Sequence, residues 1–239
     1  MRLDKLLANS GYGSRKEVKA VVKAGAVMID GKPAKDVKEH VDPDTQEVTV
    51  YGEPVDYREF IYLMMNKPQG VLSATEDSRQ QTVVDLLTPE EMRFEPFPAG
   101  RLDKDTEGFL LLTNDGQLAH RLLSPKKHVP KTYEVHLKSQ ISREDISDLE
   151  TGVYIEGGYK TKPAKAEIKT NDSGNTVIYL TITEGKYHQV KQMAKAVGNE
   201  VVYLKRLSMG RVSLDPALAP GEYRELTEEE LHLLNEPQA

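Results

Sequence analysis

Residues 99–113 read AGRLDKDTEGFLLLT, a polar, glycine-containing loop that runs without a break into an apolar segment of strand length. Segments like its second half recur on both sides. FIYLMMN at 60–66 is one. KTYEVHL at 131–137 alternates Tyr133, Val135 and Leu137 with polar neighbours, as a half-buried strand does. TVIYLTIT at 176–183 and VVYLKRLSMG at 201–210 add two more. Helical patterns lie at 116–123, 142–151, 187–197 and 227–234. Strands and helices alternate too irregularly for a doubly wound parallel sheet. The pattern predicts an α+β fold around a mixed, mainly antiparallel sheet.

The N-terminal segment has a different organisation. Arg2 to Asn9 is predicted as a short helix ended by Ser10-Gly11. Ser14 starts a second helix, with Glu17 three residues on as a capping box, and Gly25 ends it. AVMID, Asp30-Gly31 and KPA read as a strand entering a tight turn, and QEVTV at 46–50 as another strand. The turn-rich GEPVDYRE at 52–59 suggests a small domain over 1–58 and a larger one over 59–239.

Composition excludes several classes of chemistry. The 239 residues include no cysteine, so disulfides, thiolate metal sites and thiol nucleophiles are ruled out. MRLDKLLANSGYG lacks the apolar core of a signal peptide, and no apolar run approaches the ~20 residues that cross a bilayer. A cytoplasmic protein with no membrane partner is expected. The net charge of -6 is unevenly spread. Residues 1–38 carry nine Lys or Arg against four Asp or Glu, 121–138 carry five against one, and 186–211 carry six against one. One such cluster usually means a solvated face. Three on an acidic body are compatible with phosphate contacts.

The loop at 99–108 is the densest polar stretch. Asp103, Asp105, Glu107 and Gly108 match positions 1, 3, 5 and 6 of a calcium loop. The match fails at position 12, which is Asn114, and an apolar run begins where ligands should continue. No metal is expected. Gly100, with Arg101 and Lys104 flanking Asp103, suits a carboxylate kept ionised in a loop that approaches something closely. In the predicted helix from Tyr187 to Val197, Val190, Met193, Ala194 and Val197 form the core face. His188, Lys191 and Lys195 share a neighbouring face that generic expectation would leave to solvent.

GRLDKDTEGFLLLTNDG closely resembles the catalytic motif of the RsuA/RluB group of pseudouridine synthases. Further segments agree in order. RLDKLLANSGYGSRKEVKAVVKAGAVMIDGKPA resembles an S4 RNA-binding domain. LMMNKPQGVL, KTYEV, EGKYHQVKQM and VVYLKRLSMG resemble the family's remaining motifs. The resemblance implies the pseudouridine synthase fold and gives residues roles. Asp103 is the essential aspartate. Tyr133 packs on the target base and serves as a late base, and Lys191 pairs with Asp103. Arg101, Leu102 and Leu204 belong to the substrate pocket. NKPQG, SPKKH, TKPA and HQVK resemble the small-subunit members more than the large-subunit ones. Ribosomal RNA, or a partly assembled small subunit, is the implied partner.

The implied chemistry suits those residue types. Pseudouridine forms when the N1–C1′ bond breaks, the uracil turns, and C5 bonds to C1′. Nothing is added or removed overall, so no cofactor is required. Positive charge develops on the sugar, and a carboxylate is the protein group that stabilises or traps such a centre. Attack on C1′, attack on the uracil and removal of a sugar proton remain alternative routes. The nucleotide must leave its stack, which costs a few kcal/mol. RNA contacts are expected from Arg2, Lys5, Arg15, Lys16, Lys19 and Lys23, and from Lys67, Lys186, His188 and Lys195. A monomer is the default. Two rivals are a catalytically silent S4-type RNA-binding or assembly factor and a glycoside hydrolase using Asp103 with Glu107. The first would not need Asp103, Tyr133 and Lys191 together, and the second leaves the S4-like segment unexplained.

Overall fold

A computed structural model describes residues 1–55 and 57–236. Asp56, inside the expected boundary segment, and residues 237–239 lie outside the described residues. The chain divides into two compact units, Met1–Ile61 with Leu87–Glu95, and Tyr62–Leu86 with Pro96–Ala239.

In the first unit, helices α1 (Leu3–Asn9) and α2 (Arg15–Lys23) precede strands β1 (Val27–Ile29), β2 (Lys32–Pro33), β3 (Val48–Val50) and β4 (Glu53–Pro54). The capping box is present: the Ser14 hydroxyl accepts from the Glu17 amide and the Glu17 carboxylate accepts from the Ser14 amide. Asp30 and Gly31 both have positive φ, 50° and 73°, as a tight two-residue hairpin turn between β1 and β2 requires. Leu3, Leu6, Leu7, Val18, Val22, Val27 and Val50 build the core, and the charged residues of α2 are left exposed. A short helix α3 (Pro89–Met92) groups with this unit.

The second unit is built on a large mixed sheet. Its strands are β5 (Tyr62–Lys67), β6 (Phe97–Pro98), β7 (Glu107–Thr113), β8 (Lys131–Leu137), β11 (Lys165–Asp172), β12 (Asn175–Ile182), β13 (Val201–Met209), β14 (Val212–Ser213) and β15 (Tyr223–Glu225). The order is β11-β12-β8-β13-β7-β5-β15, with β6 on β7 and β14 on β13. Among the described strands of this sheet, only β13 and β7 pair in parallel. Between these strands come α4 (Gly116–Leu123), α5 (Arg143–Thr151), a small ribbon of β9 (Tyr154–Ile155) and β10 (Tyr159–Lys160), and α6 (Gln189–Ala196), while α7 (Glu228–Asn235) follows β15. β5 and β7 are buried along almost their whole length, which explains their continuous apolar runs. β8 is buried at every second residue.

One expected element is corrected, and one strand lies outside the expected set. The helix expected from Tyr187 begins at Gln189 instead. His188 takes a left-handed conformation, φ 47° and ψ 34°, and the Gln189 side chain accepts the Lys186 amide, closing the turn that delays the helix. His188 therefore leaves the stripe it was expected to share with Lys191 and Lys195. The strand at 165–172 is absent from the sequence pattern, because as an exposed edge it has no apolar alternation to read.

Gly108 is a glycine for a local reason. It sits opposite Arg206 in the parallel pairing, with φ 103°, and an added Cβ would collide with the backbone of Arg206. Gly108→Ala should cost about 2 kcal/mol, from the left-handed backbone and the forced separation of two core strands. Chemical denaturation measures this, and a loss under about 0.5 kcal/mol, the scatter of ordinary surface substitutions, would mean the strands part freely.

Candidate active site

The polar loop between β6 and β7 is held from below by the segment that follows β5. Lys67 is fully buried, and its ammonium donates to the main-chain carbonyls of Pro68 (3.0 Å), Asp103 (3.1 Å), Lys104 (3.4 Å) and Thr106 (2.9 Å). The Gly70 amide donates to the Lys104 carbonyl, and Ser73 exchanges hydrogen bonds with the amide and carbonyl of Leu102. Burial pushes the Lys67 pKa down to about 8, against the opposing pull of Asp105, Asp103 and Glu107. The lysine thus stays largely charged at neutral pH. This corrects its expected role: with no exposed surface and its ammonium filled by main-chain carbonyls, Lys67 has no donor left for an RNA phosphate. It shapes the loop instead.

Asp103 stands at the mouth of that loop. One carboxylate oxygen is 3.1 Å from the Lys191 ammonium, and the other is 3.5 Å from Nε2 of His188. Lys191 also donates to Asp105, at 2.6 Å. Burial opposes the charge on Lys191, but the two carboxylates outweigh it and raise its pKa above the ordinary lysine value. The same hydrogen bond lowers the Asp105 pKa. Glu107 is committed elsewhere, accepting from the Tyr203 hydroxyl at 2.6 Å, and does not line the depression around Asp103. The carboxylate pair needed by a glycoside hydrolase is therefore not assembled there.

The depression brings together Arg101, Leu102, Asp103, Tyr133, Lys186, His188, Lys191 and Leu204. Its apolar wall follows from strand register. Tyr133 lies opposite Arg206 and Val135 opposite Leu204, so Tyr133 and Leu204 rise from one face of the paired strands. Leu102, Tyr133 and Leu204 are buried, while Arg101 and Lys186 are exposed. Lys195 is exposed on α6 but does not line the depression. Arg2, Lys5, Arg15, Lys16, Lys19 and Lys23 all lie exposed in the first unit, with Arg2 paired to Asp4 at 2.6 Å.

A wider hollow of about 430 Å³ adjoins, sharing Arg101, Asp103, Tyr133, Lys186 and His188. It adds three residues that sequence reasoning missed: Lys131, Arg206 and the exposed Tyr187. Tyr187 stacks on His188 with ring centres 3.8 Å apart, a flat aromatic surface beside the carboxylate. Lys131 precedes Tyr133 by two residues and so shares its face, a signal the alternation of KTYEV already carried.

Known proteins resemble the chain along nearly its full length. Residues 61–196 match the RNA pseudouridylate synthase family, and residues 1–46 match the S4 domain. An RNA pseudouridine synthase of Aquifex aeolicus, itself uncharacterised, is 43% identical over 232 residues, 97% of this chain and 94% of that protein. The ribosomal small subunit pseudouridine synthase A of Escherichia coli K12 is 41% identical over 233 residues, 97% of this chain and 98% of its own length. A pseudouridylate synthase crystal structure superposes with a TM-score of 0.69 at 37% identity, covering 98% of this chain and 99% of that one.

Proposed function

Since the chain belongs to the RNA pseudouridylate synthase family and carries an S4 domain at its N-terminus, we propose that it isomerises one uridine of small-subunit ribosomal RNA, with Asp103 as its catalytic carboxylate. One observation carries the assignment of the site. A carboxylate from the β6–β7 loop and an ammonium from α6 meet at 3.1 Å beside a buried tyrosine and leucine. The ammonium sets a positive charge directly against the carboxylate. Tyr133 and Leu204 offer the apolar surface against which an everted uracil can lie and turn, and Tyr133 supplies the phenol near C5. The small-subunit assignment draws on the named relatives of about the same length.

In this account residues 1–58 bind RNA and 59–239 carry out catalysis. The substrate is RNA, free or in a partly assembled subunit, met in the cytoplasm by a monomer. No helix of the described residues is long and apolar enough to cross a membrane. The isomerisation conserves every atom of the nucleotide and calls for no metal or cofactor. Incubating the protein with small-subunit RNA, or with immature particles, and assaying pseudouridine tests the assignment. No product on either substrate overturns it and favours a silent RNA-binding factor.

The first unit should contribute mainly through charge. Arg15, Lys16, Lys19 and Lys23 are all exposed on α2. Replacing them with glutamine should weaken RNA binding and flatten its dependence on salt, by roughly 0.7–0.9 in the log–log slope for each phosphate that is no longer neutralised. Binding titrations between low and moderate salt measure this. An unchanged slope would assign the helix some other role.

A further inference from the structure

Two cations in the hollow beside Asp103 have no carboxylate to balance them. Arg206 is 2% exposed and Lys131 is 8% exposed. The Arg206 Nε donates to the Phe109 carbonyl at 2.7 Å, but Nη2 is buried with no hydrogen-bond partner. Among the described residues the Lys131 ammonium has a single acceptor, the Val129 carbonyl at 3.1 Å. Neither forms an ion pair among the described residues. Burial, then the neighbouring Arg206 charge, lower the Lys131 pKa to about 8.

Such an arrangement is costly by itself. Buried charges are normally paired, and an unsatisfied guanidinium donor loses its hydration without compensation. Like charges side by side add repulsion. An anion entering the hollow would relieve all three penalties together. The local charge favours one: Arg101 and Lys186 also line the hollow. The opposing acids are Asp103, already held by Lys191, and Glu184, whose carboxylate accepts from the Tyr159 hydroxyl, the Lys162 amide and the Gln189 side chain.

Register fixes where that anion would sit. Arg206 lies directly across from Tyr133, and Lys131 is two residues before Tyr133 on the same strand face. The two cations therefore flank the tyrosine at the edge of the uracil wall. Resting on the assignment of the chain as an RNA-modifying enzyme, we propose that Lys131 and Arg206 form a phosphate subsite. It grips an RNA backbone phosphodiester next to the everted uridine. Arginine is suited to it, since its planar fork presents two donors to one phosphate. The grip holds the sugar of the target nucleotide while its base is detached, so C1′ stays in reach when C5 turns toward it.

Binding of RNA to the full-length Asp103→Asn protein tests this without turnover. The ligands are fragments of small-subunit RNA spanning the uridine modified by the native enzyme. Each carries one neutral methylphosphonate linkage at a different position. Neutralising one linkage beside that uridine should weaken binding about 10- to 100-fold, as removing a charge-assisted hydrogen bond does. Lys131→Met, of similar length and uncharged, should weaken binding of unmodified RNA comparably. In that variant the neutral linkage should then cost less than about twofold, because its partner is already gone. Arg206→Gln should show the same coupling. If it fails to fold, Lys131→Met decides alone. Equal losses in parent and variant at every linkage would overturn the proposal. So would inorganic phosphate stabilising the parent against heat while no linkage couples, since the hollow would then hold a free anion. These couplings are read from binding alone. Failure to form pseudouridine at any uridine sinks the assigned reaction, whereas a modified uridine with no coupled linkage beside it sinks the subsite alone.

Discussion

Asp103→Asn should lower pseudouridine formation at least about a thousandfold, the loss expected on the proposed role of this carboxylate at the reacting centre. Asparagine has the same shape and keeps an oxygen for Lys191, so the unfolding midpoint and the affinity for RNA should stay near those of the native protein. What it lacks is the negative charge. The sugar becomes cationic as its bond to N1 breaks, and a neutral amide can neither trap nor stabilise that centre. Asp105→Asn is the matched control. Asp105 holds Lys191 more closely, at 2.6 Å against 3.1 Å, yet does not line the depression. Its replacement should cost far less. Single-turnover rates on excess enzyme measure both, and activity of Asp103→Asn within a factor of ten of native would refute the assignment.

Lys191→Ala should slow the chemical step by several hundredfold, a value near the lower range for breaking a charge pair in a partly enclosed site. The variant leaves Asp103 and Asp105 facing each other across a gap with no cation between them. Asp103 then loses the contact that holds its carboxylate in place and is free to swing away. The effect should fall on the rate at saturating RNA, with binding changed little. The reverse pattern, weaker binding at an unchanged rate, would make Lys191 an RNA contact. Lys191→Arg should restore most of the rate, because arginine can span both acids. The pH behaviour follows from sign. The folded pKa of Lys191 is raised, so its stabilising contribution is fully present below the unfolded value of about 10.4 and fades only above it. The native enzyme should not lose this pair at mildly alkaline pH.

Much of the architecture is legible because burial writes it into the residue pattern. KTYEVHL alternates because one face of β8 is covered, and FLLLT does not because β7 is covered on both. The Ser14–Glu17 box and the Asp30-Gly31 turn each state their own geometry. The exposed strand at 165–172 leaves no such trace. Nor does the left-handed turn at His188, where helical periodicity continues into residues that a side-chain hydrogen bond holds out of the helix. In the site, Asp103 stands out by its glycine and flanking cations. Lys67 looks like one more surface lysine beside Pro68 and Gly70. Its one betraying feature is its place at the end of an otherwise apolar run, where a charge is either buried on purpose or absent. Arg206 is hidden for a related reason: a basic residue in a strand reads as an outward-facing one.

The ammonium of Lys67 contacts the loop only through peptide oxygens, much as a crown ether wraps a cation. Such a clasp is blind to the identity of the side chains it encircles. The side chain at a position such as Lys104, whose ammonium reaches Gln80, can be exchanged without opening the clasp. Adding or removing a single residue between Asp103 and Thr106 would break the ring of oxygens and strand a charge in the interior. The side chains of the loop can vary by substitution, while its spacing is locked by a lysine buried beneath it.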